Sequence, residues 1–339
     1  MHNILLLGVG GDVSKGIGKA IRLANLHCQI IGACISVESE GLYLCDKSYI
    51  CPYADTPEFI PWLIDMCSRE HIDIVFTGVE ENVWAISKEI VRLQEATNAV
   101  FRVSNTSQLE IGGDKLKTCQ WLEKHHFPYP QYATSEDQSA IERLLSEAGF
   151  PLIAKPRQGK GSNGVFLIKN EQMLQDALHL SNYVIEECIG SSEEEYTVGC
   201  YYGLNGELPE PIIMRRKLKH GASWMVEVVH SKPISQLAKQ ICMEFRPNGP
   251  LNIQLRLNEK GEPVPFELNV RFSGTTPMRA HFGFCDVQAM LYESLLHRDI
   301  SDCFSIRPGI AYRYTEELYL SERPQQRSDS TVVWNKLDG

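Results

Sequence analysis

Short apolar runs alternate with amphipathic segments along the first third of the chain. Residues 3–8 form an apolar run that ends in glycine, and residues 12–27 carry apolar side chains at the spacing of one helix face. Further apolar runs occupy residues 28–35 and 73–78, the second of them after another helical segment. Strands that alternate with helices are typical of parallel sheets covered on both faces. The pattern therefore predicts a doubly wound parallel α/β domain over residues 1–110.

Beyond that domain the pattern changes to a mixture of helices and strands. Asp114 is placed to cap a helix that has Lys115 in its first turn, carries apolar residues on one face and stops near Pro128. Several strands follow, most densely over residues 195–271. The pattern in this half of the chain predicts an α+β arrangement.

A basic, glycine-rich segment, IAKPRQGKGSNGVFLI, lies between two of the predicted strands. It carries three positive charges and three glycines within residues 155–164. A phosphate cradle, a nucleic-acid contact and a plain hairpin turn would all produce this composition. The whole chain has 43 acidic residues against 33 Lys and Arg, a net charge of −10, which excludes a general polyanion-binding surface. The basic cluster must therefore act locally.

Composition also bears on the compartment. Eleven cysteines without a CxxC pair favour reduced, buried thiols over a disulfide framework or a structural zinc site. Near the N-terminus only residues 4–7 are continuously apolar, with no Lys or Arg before them, which is unlike a signal peptide. No segment is long and apolar enough for a membrane helix. We therefore expect a cytoplasmic protein whose partners are small molecules rather than nucleic acid or membrane.

Glycines cluster after the first predicted strand. A dinucleotide-binding GxGxxG motif that starts at Gly8 requires glycine at position 13, where the chain has Val13, and a Walker loop fails at the same position. This argues against a nicotinamide-dependent dehydrogenase. The glycines either allow a tight strand-to-helix turn or contact a substrate or phosphate, and the residues alone leave both alternatives open.

Residues 251–271 alternate apolar and polar side chains, which predicts two strands with one apolar and one polar face. We expect a hairpin whose turn centres on Lys260 and Gly261. The opposing residues on the polar face are then Gln254 with Glu267 and Asn252 with Asn269. A solvated sheet face is one interpretation. Oxygen ligands followed by Arg271 also suit Mg²⁺ with a phosphate between them.

Five motifs in this order and spacing resemble the ATP-grasp superfamily, in the carboxylate-amine ligase branch similar to the ATP-binding halves of the carbamoyl-phosphate synthase large chain. The resemblance covers about residues 3–310. It implies that a doubly wound, pre-ATP-grasp domain precedes a two-lobed ATP-grasp domain. The expected parts are a small lobe over residues 111–190, a large lobe over 191–315 and a C-terminal arm over 316–339 that is extended or partly disordered.

The resemblance further implies an ATP site. Two lysines, in GGDK and AKP, match those that contact the phosphates, and the glycines that follow match a flexible lid. The strand VIEECIG matches the one that offers backbone groups to adenine, and EYTV supplies the ribose acid. The implied nucleotide-binding residues are Lys115, Lys155, Gly159, Gly161, Ser162, Gly164, Glu186, Glu187, Cys188, Ile189 and Glu195.

The polar hairpin face matches the metal-binding signature of the family. The resemblance assigns Gln254, Glu267 and Asn269 to Mg²⁺, with two ions expected and Mn²⁺ as an alternative. Arg271 matches the arginine that steadies the transferred phosphoryl group, and together with Lys155 it is the implied catalytic pair.

Three departures from the family pattern are visible. The acidic run SSEEEY leaves the ribose acid open between Glu194 and Glu195. The chain lacks the second synthetase half and the allosteric domain of the carbamoyl-phosphate enzyme, so that particular activity is not implied. The third departure is a basic run formed by Arg215, Arg216, Lys217 and Lys219. This run either binds substrate or closes a loop, or it forms a solvated edge.

These positions imply an ATP-dependent carboxylate-amine ligase. It would form an amide or peptide bond through an acyl phosphate and release ADP and phosphate. The alternative is an ATP-binding sensor or scaffold with the same fold and no turnover. Glu80 and Glu81 are candidates for substrate contact, or else the first turn of a helix. A homodimer is expected from family analogy alone.

Overall fold

The computed structural model describes residues 1–159, 161 and 163–336. These residues form a five-stranded, a four-stranded and a six-stranded sheet, together with a small two-stranded one. In this part of the chain no helix is both long and apolar enough to cross a bilayer.

The N-terminal sheet is parallel throughout. Its strands are β1 (His2–Leu7), β2 (Cys28–Cys34), β3 (Lys47–Ile50), β4 (Ile74–Thr77) and β5 (Val100–Phe101). They lie in the order β3-β2-β1-β4-β5. Because successive side chains of a strand point to opposite faces, Ile4 and Leu6 enter one hydrophobic core and Leu5 and Leu7 enter another.

Helices cover both faces of this sheet. Helix α1 (Asp12–Leu23) buries Ile17 and Ile21 in the core that contains Leu6. The helices on the opposite face are α2 (Phe59–Arg69), α3 (Glu80–Lys88) and α4 (Ile90–Ala96). The predicted doubly wound parallel arrangement is confirmed.

Two helices lead out of the N-terminal sheet, α5 (Thr106–Gly113) and α6 (Lys115–Lys124). The Asp114 side chain accepts hydrogen bonds from two backbone N–H groups in the first turn of α6. The predicted cap is confirmed, and α6 ends before Pro128. Leu122 of this helix is buried in the core of the six-stranded sheet.

The four-stranded sheet is antiparallel and carries the basic loop. Its strands are β6 (Tyr132–Thr134), β7 (Leu152–Pro156), β8 (Phe166–Ile168) and β9 (Tyr183–Glu187), in the order β6-β9-β7-β8. Helices α7 (Gln138–Ala148) and α8 (Glu171–Leu178) bury Ile141, Leu144 and Leu174 against it. The basic loop joins β7 to β8, as the sequence predicts.

The six-stranded sheet is also antiparallel. Its strands are β10 (Glu195–Tyr202), β11 (Ile212–Lys219), β12 (Ala222–Val228), β13 (Gly249–Leu257), β14 (Pro263–Asn269) and β15 (Ile310–Tyr312). The order is β14-β13-β10-β11-β12-β15. Helix α9 (Lys232–Phe245) covers one face, while α10 (Thr276–His281) and α11 (Asp286–Leu291) pack between this sheet and α1. The N-terminal sheet and the six-stranded sheet therefore share a core.

The β13–β14 hairpin pairs the polar residues as predicted, although its turn differs. Gln254 lies opposite Glu267, and Asn252 lies opposite Asn269. The turn is centred on Lys260 itself rather than between Lys260 and Gly261, because Asn258 N–H donates to Glu262 O and closes the loop around Lys260. An irregularity between positions 254 and 255 shifts the register by one residue and restores the predicted pairs.

The described end of the chain is extended and packs on the N-terminal sheet. It contains β16 (Gln325–Gln326) and β17 (Val332–Val333), which pair with each other. The Ile50 N–H donates to Ser330 O at 2.9 Å, and the Trp334 ring lies 5.7 Å from the Tyr43 ring.

Candidate active site

A cleft lies between the four-stranded and six-stranded sheets. Its wall contains these residues that the sequence predicts for the site: Lys115, Lys155, Gly159, Gly161, Glu186, Glu187, Ile189, Glu195, Gln254 and Glu267. The others lie beside them along the chain: Gly164, Cys188, Asn269 and Arg271. Ser162 and Lys160 are outside the described residues.

Part of the cleft wall is apolar. It is formed by Ile153, Val165, Ile189, Leu218 and Phe266. These side chains come from both sheets and from the ends of the basic loop, so they meet only in the folded chain. A wall of this kind suits a planar, weakly polar ligand such as a purine base.

Lys155 and Glu186 form a buried ion pair in the cleft. Lys155 Nζ lies 2.6 Å from Glu186 Oε2, and their side chains are 11% and 1% exposed. The same ammonium lies 4.8 Å from the centre of the Phe266 ring. The pair holds the Lys155 charge at a defined point, and it assigns the Glu186 side chain a contact that the sequence did not predict.

Replacement of Lys155 by methionine is expected to destabilise the fold by about 3–5 kcal/mol, because it leaves the Glu186 carboxylate buried without its cation. The double variant Lys155→Met/Glu186→Gln should recover most of this loss. Guanidinium titration measures both. Lys239→Met is a matched control, since its ion pair with Glu210 is exposed and should contribute under about 1 kcal/mol. Equal losses in both single variants would contradict the assignment.

Arg157 anchors the basic loop to helix α6. Its Nη2 lies 2.6 Å from Asp114 Oδ2, and its carbonyl accepts a hydrogen bond from Lys115 N–H at 2.9 Å. The hydrogen bond to Asp114 raises the pKa of Arg157 above its ordinary value. The Asp114 carboxylate therefore caps α6 and neutralises Arg157 at once, and this brings Lys115 close to the strand that carries Lys155.

The glycines of the basic loop have conformations and contacts that a side chain would oppose. Gly161 and Gly164 have φ of +65° and +74°. A Cβ at Gly164 would lie 2.9 Å from the Pro156 side chain, and one at Gly221 would lie 2.1 Å from Gly161 O. The loop therefore touches the turn between β11 and β12 through backbone atoms, and the cleft is covered on that side.

Glu195 is held by two arginines. Its Oε1 accepts from Arg216 Nη2 at 2.6 Å, and its Oε2 accepts from Arg256 Nη2 at 2.7 Å. Each arginine also donates its Nε to the same oxygen. Burial raises the pKa of Glu195, but attraction to the two guanidinium groups outweighs it and leaves the pKa below the ordinary value. Glu194 instead accepts a hydrogen bond from Tyr196 and is not part of the cleft wall.

Within the basic run on β11, Arg216 is the residue whose side chain forms hydrogen bonds to other residues of the cleft. It is 8% exposed and donates to Gln254 Oε1 at 2.5 Å as well as to Glu195. Arg215 points the other way and pairs with Glu227 at 2.5 Å. Lys217 pairs with the exposed Glu193. The strand alternation, which puts every second residue on one face, is the sequence signal that distinguishes Arg216.

The predicted metal ligands converge. Gln254 Nε2 and Asn269 Nδ2 donate to Glu267 Oε1 at 3.2 and 2.8 Å. Among the described residues there is no cluster of three or more His, Cys, Asp or Glu side chains suited to a metal ion, so amide oxygens would have to take part. One carboxylate with two carboxamides fits Mg²⁺, which shares its coordination sphere with water and phosphate, once each amide turns its oxygen inward.

Arg271 lies at the junction with the N-terminal sheet. Its Nη1 donates to the Phe272 carbonyl at 2.9 Å, and its Nη2 lies 3.9 Å from Glu80 Oε2. Glu80 and Glu81 are both in the first turn of α3. The helix-turn interpretation is therefore confirmed, and Glu80 also contacts the arginine that the sequence predicts to be catalytic.

Comparison with known proteins agrees with this geometry. Residues 112–197 match a RimK-like ATP-grasp domain, and residues 185–318 match a family described as ATP-grasp in the biosynthetic pathway with Ter operon. The N5-carboxyaminoimidazole ribonucleotide synthetase of Thermus thermophilus has a similar structure, with a TM-score of 0.71 and 14% identity over 96% of this chain and 85% of that one.

Curated relatives match over shorter stretches. The pyruvate carboxylase of Bacillus subtilis (strain 168) is 22% identical over 198 residues, which are 56% of this chain and 17% of that protein. The D-alanine--D-alanine ligase of Ectopseudomonas mendocina (strain ymp) is 35% identical over 125 residues, 35% of this chain and 38% of that protein. The chain thus spans less than half the length of these two relatives. The chain therefore contains ATP-grasp domains over residues 112–318, as the two matching domain models show, and it has the fold of the Thermus thermophilus synthetase.

Proposed function

We propose that the chain is an ATP-dependent carboxylate-amine ligase that forms an amide or peptide bond and releases ADP and phosphate. One observation carries the proposal: a single cleft joins an apolar wall to an end where cations and oxygen ligands gather. The cleft wall holds the cations Lys155 and Arg216 and the oxygen ligands Gln254 and Glu267, and Asn269 and Arg271 follow Glu267 along the chain. This is the set that phosphoryl transfer requires, since the protein mainly positions groups and neutralises charge.

The apolar wall would bind the adenine base, and Lys115 and Lys155 would contact the phosphates. Glu195 remains the candidate for the ribose hydroxyls. Because four N–H groups of Arg216 and Arg256 already occupy its oxygens, a hydroxyl can bind only if one arginine is redirected. Arg216 also reaches Gln254, so we propose that it turns toward the phosphates when ATP enters.

Gln254, Glu267 and Asn269 would hold Mg²⁺, two ions being proposed. Bound there, Mg²⁺ supplies charge neutralisation between the phosphate oxygens. The Glu267 carboxylate is the one formal negative charge in this set of three. Glu267 Oε1 lies 3.2 Å from Gln254 Nε2 and 2.8 Å from Asn269 Nδ2. These short distances support one shared metal site rather than three separate surface side chains.

The proposed reaction has two steps. A substrate carboxylate oxygen attacks the γ-phosphorus of ATP, the bond from this phosphorus to the ADP oxygen breaks, and an acyl phosphate forms. An amine nitrogen then attacks the acyl carbon, phosphate leaves with the electron pair of the C–O bond, and the nitrogen loses one proton. The loop over residues 159–164 would exclude water, which otherwise hydrolyses the acyl phosphate.

The acceptor site is proposed at the junction with the N-terminal sheet. Arg271 and Glu80 meet there. An amine would pair with Glu80, and Arg271 would face the phosphoryl group that the substrate carboxylate receives. The likeness to a D-alanine--D-alanine ligase favours an acid and an amine as the two substrates. A homodimer is proposed by analogy with the superfamily.

An ADP-release screen tests the proposal. Carboxylates are crossed with amines at saturating Mg-ATP, and products are identified by mass spectrometry. In parallel, hydroxylamine replaces the amine, because it traps an acyl phosphate as a hydroxamate. We expect ADP that depends on both substrates, and a hydroxamate from the same acid. ATP binding by calorimetry without ADP from any pair would instead support the sensor or scaffold alternative.

A further inference from the structure

Arg279 of helix α10 is a fully buried guanidinium on the polar face of the six-stranded sheet. It is 0% exposed, and it fills the space above Gly199, where a Cβ would lie 2.8 Å from its Nε. Neither its Nε nor its Nη1 has a hydrogen-bond acceptor within the described part of the chain. Burying a charged group whose N–H donors are not all paired costs free energy. The contacts that Arg279 does make therefore indicate its role.

Those contacts lead to the metal-ligand hairpin. Arg279 Nη2 donates to Asn252 Oδ1 and, at 2.8 Å, to Ser273 Oγ. Its Nη1 lies 3.7 Å from Asp286 Oδ2, and both of these side chains are 0% exposed. Burial raises the pKa of the Asp286 carboxyl to about 6, and Arg279 opposes this increase. The guanidinium is thus fixed between Asp286 on one side and Asn252 on the other.

Asn252 is held by its oxygen alone within the described part of the chain. Thr197 Oγ1 donates to Asn252 Oδ1 at 2.7 Å, and Arg279 donates to the same oxygen. An amide oxygen and its nitrogen point in different directions, so two donors on the oxygen fix where the NH₂ group points. Asn252 stands opposite Asn269 and two residues before Gln254 on the same strand face. Asn252 is 1% exposed, and its Nδ2 is therefore a buried, preoriented donor next to two of the proposed metal ligands, Gln254 and Asn269.

We propose that Asn252 donates a hydrogen bond through Nδ2 to the substrate oxygen that gains negative charge during acyl transfer, and that Arg279 and Thr197 are positioning residues that fix its orientation. The inference rests on the proposed ligase function. A donor that is already oriented stabilises developing charge without reorganisation during the reaction. Since Arg279 and Thr197 act through Asn252, their loss should matter only while Asn252 is present.

A double-mutant cycle tests this with the substrate pair found by the ADP-release screen. Asn252→Asp keeps the oxygen that Arg279 and Thr197 hold and removes the NH₂ donor. We expect kcat to fall about 30-fold, while the Kd for Mg-ATP measured by calorimetry stays within about twofold. Thr197→Val, which is close to isosteric, should lower kcat about threefold alone and add nothing in the Asn252→Asp background.

Arg279→Lys extends the cycle, since lysine keeps a cation beside Asp286 but cannot reproduce both hydrogen bonds of Nη2. It should lower kcat about tenfold alone and leave the rate of Asn252→Asp unchanged. Asn248→Asp is the matched control. Asn248 Oδ1 is also held by an arginine, Arg102, at 2.6 Å, but its Nδ2 donates to Val103 O. This control should lower thermal stability and leave kcat within about twofold.

The outcomes separate this inference from the ligase proposal. An Asn252→Asp variant with a wild-type kcat would overturn it, as would a Thr197→Val or Arg279→Lys effect of equal size in both backgrounds. If the wild-type protein forms no ADP with any pair, the ligase proposal fails first and this inference fails with it. Turnover by the wild type together with a normal Asn252→Asp rate refutes the Asn252 role alone.

Discussion

Glu267→Gln is expected to lower the rate of ADP formation on the order of 10²-fold or more. The substitution keeps the size and shape of the side chain and removes the one carboxylate among the three proposed Mg²⁺ ligands. Glutamine at position 267 would face Gln254 and Asn269 with a neutral amide. Three neutral ligands bind a hard divalent cation weakly, because Mg²⁺ sites in proteins depend on at least one carboxylate.

The rate should be measured against Mg²⁺ concentration. We expect the variant to require far more Mg²⁺ for half-maximal activity, and its plateau to stay below that of the wild type. Glu262→Gln is the matched control, since Glu262 lies in the turn of the same hairpin and bonds Asn258 at 2.9 Å. A Glu267→Gln protein that turns over normally at every Mg²⁺ concentration would show that the metal assignment is wrong.

The local features of the fold could be predicted from the sequence. The alternation of apolar runs and amphipathic segments predicts the parallel sheet of residues 1–110, because each strand and helix is recognised from its own short pattern, although β1 pairs with the distant β4 as well as with β2. The cap of α6 is equally local, since Asp114 bonds N–H groups within its own next turn. Such features depend on residues a few positions apart.

The β13–β14 hairpin shows which features could be predicted from the sequence pattern and which could not. The period-two pattern predicts which residues share the polar face, and the pairs of Gln254 with Glu267 and Asn252 with Asn269 are confirmed. The turn is centred on Lys260 itself and not between Lys260 and Gly261 as predicted, and an irregularity after Gln254 compensates. A bulge depends on packing against the next strand, β10, which no pattern within the hairpin itself reports.

The charge network around Glu195 could not be predicted from local pattern. Arg216 and Arg256 reach Glu195 from two different strands, and which arginine is buried depends on how β10 pairs with β11 and β13. The contact of Glu80 with Arg271 likewise joins residues far apart in sequence. Sequence spacing identified the residue types, whereas long-range strand pairing determines which charges meet.

Arg271→Met is expected to have the largest effect on chemistry, a loss of about 10³-fold in kcat. Arg271 is 18% exposed on its side chain and lies where the hairpin meets the N-terminal sheet, 3.9 Å from Glu80 Oε2. At that position its guanidinium would face the phosphoryl group during its transfer rather than the bound nucleotide. A group that stabilises mainly the transition state lowers kcat and kcat/KM together when removed, and leaves ground-state binding nearly unchanged.

Steady-state kinetics and calorimetry together distinguish this role from simple ATP binding. We expect the Kd for Mg-ATP to change by less than about threefold while kcat falls. In Arg271→Ala, added guanidine should restore part of the rate, because it can occupy the vacated volume and supply the missing charge. Arg215→Ala is the control, since Arg215 lies on the outer face of β11 and pairs with Glu227 at 2.5 Å. Weaker ATP binding with unchanged kcat in Arg271→Met would place Arg271 among the nucleotide-binding residues and leave the transferred phosphoryl group without its proposed arginine.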